Sequence, residues 1–151
     1  YHAVADVVLA NSLLRSLPEV DASRVGVCGI SWGGIITSTV VGIDTRFAFG
    51  IPIYGCGALD RAAENYVRAL RDNPLYREVW EPLLRLPRAT MPLLWLTGPR
   101  DAHFPLDVQQ ASYRAALAAG GRDTVHLRGR LNVGSTSTVG TGDLRVSLPS
   151  G

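Results

Sequence analysis

Between Arg24 and Val41 a short apolar run passes through Gly29-Ile30-Ser31-Trp32-Gly33 into a stretch of helical period. That order, strand then tight turn then helix, limits the chain to few architectures. A buried strand leading directly into a helix builds a parallel sheet with helices laid on it. Arg24 to Gly29, with Val25 and Val27, suits such a strand, and Gly33-Gly34 opens a helix to about Val41.

The same grammar recurs along the chain. Val4, Val7, Val8, Leu14 and Leu17 fall near helical spacing within Ala3 to Leu17, and Pro18 stops the pattern. Asp21-Ala22-Ser23 reads as a turn. Phe47 to Tyr54 is a second buried strand, where Pro52 calls for an edge, a bulge or a strand end. Leu59 to Leu86 reads as helical with a break at Asn73-Pro74. Pro92 to Thr97 is a third strand, closed by Gly98-Pro99, and Asp107 to Ala119 a helix ended by Gly120-Gly121. Thr124 to Leu127 completes the series.

Size and composition agree with a folded domain. A chain of 151 residues, 46% hydrophobic and 19% charged, has the length of one domain and the apolar content for a core. All 15 basic residues are arginines, scattered singly against 13 acidic residues, so no basic stripe marks a nucleic-acid partner. No apolar run has the length of a membrane helix, and Tyr1-His2-Ala3 lacks the basic start of a signal peptide. Two cysteines, Cys28 and Cys56, are too few for a disulfide framework or a zinc cage. Cys28 reads as a buried small hydrophobe, and Cys56 as part of a packed loop at a strand end. A bridge between them across neighbouring strands stays open. No metal or organic cofactor is implied.

Beyond Arg128 the grammar changes. Residues 129–151 contain no alanine and no aromatic, and Gly, Ser and Thr make up about half of them. The division expected is therefore 1–128 for the folded part and 129–151 for an irregular tail. A shifted reading frame after Arg128 would produce such a change.

Gly29-Ile30-Ser31-Trp32-Gly33 has the form G-x-S-x-G in the strand-to-helix context of a nucleophile elbow. A sharp turn lifts the serine hydroxyl off the sheet, and small flanking residues, Gly29 and Gly33, keep the turn clear of strand and helix. The helix that starts there points N–H groups toward Ser31 and favours an oxyanion, with the Trp32 N–H as first donor. A serine nucleophile needs a base, and the base an orienting acid. Asp101 follows the third strand, where ligand chemistry collects in parallel sheets.

Asp21 to Gly34, written out as Asp21-Ala22-Ser23-Arg24-Val25-Gly26-Val27-Cys28-Gly29-Ile30-Ser31-Trp32-Gly33-Gly34, resembles the nucleophile region of α/β hydrolases. The kinds most alike are acetyl xylan esterase, dienelactone hydrolase and prolyl oligopeptidase. Asp44-Thr45-Arg46-Phe47 and Pro52-Ile53-Tyr54-Gly55-Cys56-Gly57 resemble the next strand of the bacterial acetyl-xylan-esterase-like branch. Thr97-Gly98-Pro99-Arg100-Asp101-Ala102-His103-Phe104-Pro105 resembles that branch's acid loop. The resemblance runs from about Tyr1 to Leu127. It implies a partial α/β-hydrolase fold of about four parallel strands with flanking helices and an irregular tail. It implies a serine hydrolase of small-molecule esters, acyl-sugar esters among them, with Ser31 as nucleophile, Asp101 as acid and Trp32 in the oxyanion hole.

Two departures from that pattern stand out. The family's histidine should follow the last strand, and no histidine lies beyond His126. His126 reads as a structural residue within that strand, His103 as a loop residue and His2 as a terminal one. The early strands of the sheet, and the second oxyanion donor, would precede Tyr1. Arg24 to Gly29 then becomes a sheet edge that invites self-association. The expectation is an esterase fold whose chain, taken alone, is close to inert. A prolyl-oligopeptidase-like peptidase and a non-catalytic binding fragment are the rivals. Leu59 to Leu86 holds the place of a cap over the site, with Tyr76, Trp80 and Trp95 read as core or cap packing.

Overall fold

The computed structural model describes residues 2–98, 100–118 and 125–128. Four strands form one parallel sheet in the order β1-β2-β3-β4: β1 is Val27–Ile30, β2 Gly50–Ile53, β3 Leu94–Thr97 and β4 Val125–Arg128. Helices α1 (His2–Ser16), α2 (Trp32–Val40), α3 (Glu64–Leu70) and α4 (Leu106–Ala118) occupy the connections. The strand–helix alternation predicts this parallel sheet with flanking helices, and its four strands agree with the partial α/β-hydrolase fold that the resemblance implies. The reading of residues 129–151 as a tail falls outside the described residues.

α1 ends where Pro18 bars another turn. Its inward face is narrower than the periodicity implies. Val4, Val7 and Val8 pack on the core and Asn11 is buried, whereas Leu14 and Leu17 are exposed together with Leu9 and Leu13. Asn11 belongs to a polar clamp. Its Nδ2 donates to Asp44 Oδ2 at 2.9 Å, and Arg46 grips the same carboxylate through Nε at 2.8 Å and Nη2 at 2.7 Å. The Arg46 bonds hold the Asp44 pKa down at about 2, against the opposing effect of burial. Arg46 Nη2 also donates to Ser12 Oγ at 2.9 Å, so one ion pair fastens α1 to the turn before β2.

α2 is built from poor helix formers, Ile35-Ile36-Thr37-Ser38-Thr39-Val40, and holds because packing overrides propensity. Thr37, Ser38 and Thr39 are buried, and each hydroxyl donates to the carbonyl four residues back at 2.8–2.9 Å. The main core lies between this helix, α4 and the sheet. It joins Val40, Val41, Phe47, Leu86, Met91, Leu93 and Ala116 around Trp95, which is fully buried. A second cluster of Ile35, Cys56, Leu59, Tyr76, Phe104 and Val108 lies toward the carboxyl ends of the strands.

Two sequence readings, of Pro52 and of Cys28, need correction. Pro52 lies in an interior strand, between β1 and β3. Gly50 N–H donates to Pro92 O and Tyr54 N–H to Leu96 O, so the N–H that Pro52 lacks would face β3. There the β2–β3 pairing reduces to a bridge at Gly50 and the pair Ile53–Leu96. Leu59 to Leu86 is helical with a break at Asn73-Pro74, as the sequence reads: α3 ends at Leu70, and a second helical stretch over residues 74–80 closes in a π-turn at Tyr76–Trp80. Short 3₁₀ turns at Leu59–Arg61, Pro82–Leu84 and Leu86–Arg88 flank the two, and Pro82 and Pro87 forbid longer runs there. Asn73 caps the turn before Tyr76, its Oδ1 accepting the Tyr76 N–H at 3.0 Å. Cys28 is exposed, because β1 covers only one face. Val27 and Gly29 meet the helices, and Cys28 and Ile30 point away from them. Both cysteines are free thiols, and Cys28 pairs in register with Ile51 rather than Cys56.

Candidate active site

Ser31 occupies the turn between β1 and α2 with φ 57° and ψ −117°, a region that L residues rarely enter. The turn is held from both sides. Ser31 N–H donates to Ile53 O at 2.8 Å, and Ser31 O accepts the Ile35 N–H at 3.1 Å. Its side chain makes no capping bond to α2, so the exposed hydroxyl is not consumed by the helix it precedes. Trp32 follows as the first helical residue, its side chain 64% exposed.

Close backbone approach makes this geometry possible, and of the two motif glycines only Gly29 takes part in it. A Cβ on Gly29 would overlap the Gly33 carbonyl and stand 2.8 Å from Thr37 Oγ1. A Cβ on Gly33 would meet nothing within 4 Å. The crowded partner is Gly34, where a Cβ would lie 2.7 Å from Ile53 O. Gly34 and Gly55 thus bring the first turn of α2 onto the end of β2. The doublets Gly33-Gly34 and Gly55-Cys56-Gly57 carry that signal in the sequence, although the serine motif draws attention to Gly33.

The positive-φ non-glycine residues among the described ones are Ser31, Tyr54 and Ala58. All three lie just past the carboxyl ends of β1 and β2, so backbone strain gathers on one edge of the sheet. Asp101 follows β3 on that same edge. Its Oδ1 accepts the N–H groups of His103 at 2.9 Å and Phe104 at 3.0 Å, which fixes the carboxylate and leaves Oδ2 outside those bonds. Next to Gly55, which packs on the Ser31 carbonyl, Cys56 is fully buried, its thiol pushed up by burial and by the carboxylates of Glu81, Asp101 and Asp107. The fold therefore brings the Ser31 turn, the Trp32 N–H and Asp101 to one edge. His103 is exposed on the acid loop, and its carbonyl accepts the Ala63 N–H at 3.1 Å. His2 is exposed at the start of α1, and the backbone of His126 pairs with Trp95 within β4.

Sequence reasoning missed an apolar pocket of about 360 Å³ that Trp32, the residue after Ser31, helps to line. Its lining comes from α1 (Ala3 and Val4), α2 (Trp32, Ile35 and Ile36) and the segment after β2 (Leu59, Tyr66, Tyr76 and Trp80). Tyr76 and Trp80 thus face a cavity as well as packing the segment after β2, Tyr76 as a member of the second core cluster, and Trp95 belongs to the main core. No group of three or more His, Cys, Asp or Glu suited to a metal occurs among the described residues.

The sequence profile of the prolyl oligopeptidase family matches residues 1–132. The chain belongs to that family. As a member, it shares its fold with larger solved structures. It is 24% identical to the acylaminoacyl peptidase of Pyrococcus horikoshii, with a TM-score of 0.70 over 85% of this chain and 23% of that one. It is 22% identical to dipeptidyl peptidase 4 of Porphyromonas gingivalis, with a TM-score of 0.71 over 83% of this chain and 18% of that one. A protein of Klebsiella pneumoniae described as a dienelactone hydrolase matches at 22% identity and a TM-score of 0.62, over 83% of this chain and 46% of that one. The chain therefore spans about a fifth of the two peptidases and under half of the third. Comparison with curated proteins finds no match.

Proposed function

We propose that this family member carries the nucleophile and acid of a serine hydrolase acting on carboxylic acyl groups. The observation that carries the reading is the backbone of Ser31, held at φ 57° with an uncapped hydroxyl at the start of α2. Ser31 Oγ attacks the carbonyl carbon and loses its proton to a histidine. The carbonyl oxygen becomes an oxyanion that the Trp32 N–H and the positive end of α2 stabilise. Expulsion of the leaving group gives an acyl-serine, which water cleaves to free acid and serine. Asp101 orients the histidine, and its two backbone bonds at Oδ1 hold it ready for that role.

An ester is the substrate inferred from the resemblance of the acid loop. The apolar pocket suits an acyl or side-chain group larger than acetyl. Family membership favours a second reading, a peptide or amide bond. The rest of the catalytic machinery is the same for both. With its base unsupplied, the chain alone turns over close to background, since loss of a triad histidine costs about a million-fold in kcat.

Reaction with a fluorophosphonate tests the assignment, because Ser31 Oγ must displace fluoride to form the adduct. Added imidazole, standing in for the base, is expected to raise the rate of adduct formation at Ser31, and Ser31→Ala to abolish it. No adduct at position 31 with imidazole present overturns the reading.

A further inference from the structure

Glu81 is a buried carboxylate with no cation against it among the described residues. Its Oε1 accepts the Ala58 N–H at 2.8 Å and the Leu83 N–H at 2.9 Å, and its Oε2 accepts the Tyr76 hydroxyl. The Tyr76 oxygen in turn accepts the Leu59 N–H at 3.0 Å. The fit is close enough that a Cβ on Gly57 would overlap Oε1. Burying a charge that finds only dipoles for partners is costly, and an apolar pair would fill the same space more cheaply. What the network secures is geometry. It holds Ala58 at φ 55° and ties the segment after β2 to the π-turn that carries Tyr76 and Trp80.

The residues it ties down, Leu59, Tyr76 and Trp80, line the apolar pocket together with Trp32. We propose that Glu81 and Tyr76 are positioning residues whose hydrogen bonds set the width of that pocket, and so the size of apolar group that it accepts next to Trp32. The inference rests on the pocket belonging to the hydrolase site described above. Neither residue touches the reacting atoms. Their action runs through the loop Gly57-Ala58-Leu59 and the ring of Tyr76.

Tryptophan emission of the full chain, titrated with 4-phenyl-1-butanol and with 1-butanol, tests this without any turnover. Trp32 and Trp80 line the pocket and report binding, while Trp95 is a fixed background in the core. The phenyl compound is expected to bind the wild type and Ser31→Ala equally. Tyr76→Phe, which removes the hydroxyl and keeps the ring, is expected to weaken phenylbutanol about tenfold and to flatten the discrimination between the two alcohols. Leu75→Ala, at an exposed neighbour outside the pocket, leaves both affinities unchanged. Absence of saturable binding to the wild type overturns the proposal. So does a Tyr76→Phe chain that keeps the full discrimination, or that loses affinity for both alcohols in equal proportion. Should far-UV circular dichroism show Tyr76→Phe unfolded, Glu81→Gln decides by the same discrimination criterion. Failure of the hydrolase assignment registers separately, as a Ser31 silent to fluorophosphonate in a chain that still binds phenylbutanol.

Discussion

Gly34 and Gly55 touch backbone to backbone: a Cβ built on Gly34 would stand 2.9 Å from the Gly55 Cα, and one on Gly55 2.7 Å from the Gly34 Cα. This contact seats the first turn of α2 on the end of β2 and holds the Ser31 turn in shape. Alanine at either position is expected to cost about 1–3 kcal/mol through forced backbone shifts. Gly33→Ala is expected to be neutral or to gain up to about 1 kcal/mol, since its Cβ enters open space within a helix. Urea melts of the three variants check the contrast.

The Asp44–Arg46 pair sets an acid limit on stability. In the fold Asp44 titrates at about 2, below the roughly 3.9 of an unfolded aspartate. Its contribution is complete above about pH 4 and disappears as pH falls toward 2, because the unfolded chain binds the proton first. Asp44→Asn is expected to lower the urea midpoint at pH 7 and to flatten the acid limb between about pH 4 and 2. An unchanged acid limb in the variant contradicts the assignment.

Asp101 serves the acid loop as well as the proposed chemistry, and the two roles separate by substitution. Asp101→Asn keeps an oxygen for the His103 and Phe104 N–H groups and is expected to melt within about 0.5 kcal/mol of wild type. Asp101→Ala strands both donors and is expected to lose about 1–2 kcal/mol. Equal losses for Asn and Ala in thermal melts would show that the carboxylate charge, not its acceptor geometry, holds the loop.

The two thiols differ in access. Cys28 is exposed on β1, whereas Cys56 is fully buried with its thiol pushed up. Iodoacetamide is expected to alkylate Cys28 within minutes in the native chain and Cys56 only after unfolding. Peptide mass spectrometry across a urea series reads both sites.

The order of elements was legible because each strand is a short β-rich run and each helix carries its own period, both local signals. The Ser31 turn was legible for the same reason, since its letters and context sit within a dozen residues. The role of Glu81 was not. Nothing in Trp80-Glu81-Pro82 distinguishes a buried acceptor from a surface acid, and its Ala58 partner lies 23 residues away. In Leu59 to Leu86 the break at Asn73-Pro74 was legible, but Pro82 and Pro87 cut the end of the segment into 3₁₀ turns whose shape only packing decides. Pro52 misled because a ladder can drop one rung and keep its strand interior.

That dropped rung has a consequence for the site. Between the Gly50–Pro92 and Tyr54–Leu96 bonds Pro52 withholds a donor from β3. Ser31 follows β1, on one side of that gap, and Asp101 follows β3, on the other. The hydroxyl and the carboxylate therefore belong to strands whose junction, at β2, is thinnest at a proline.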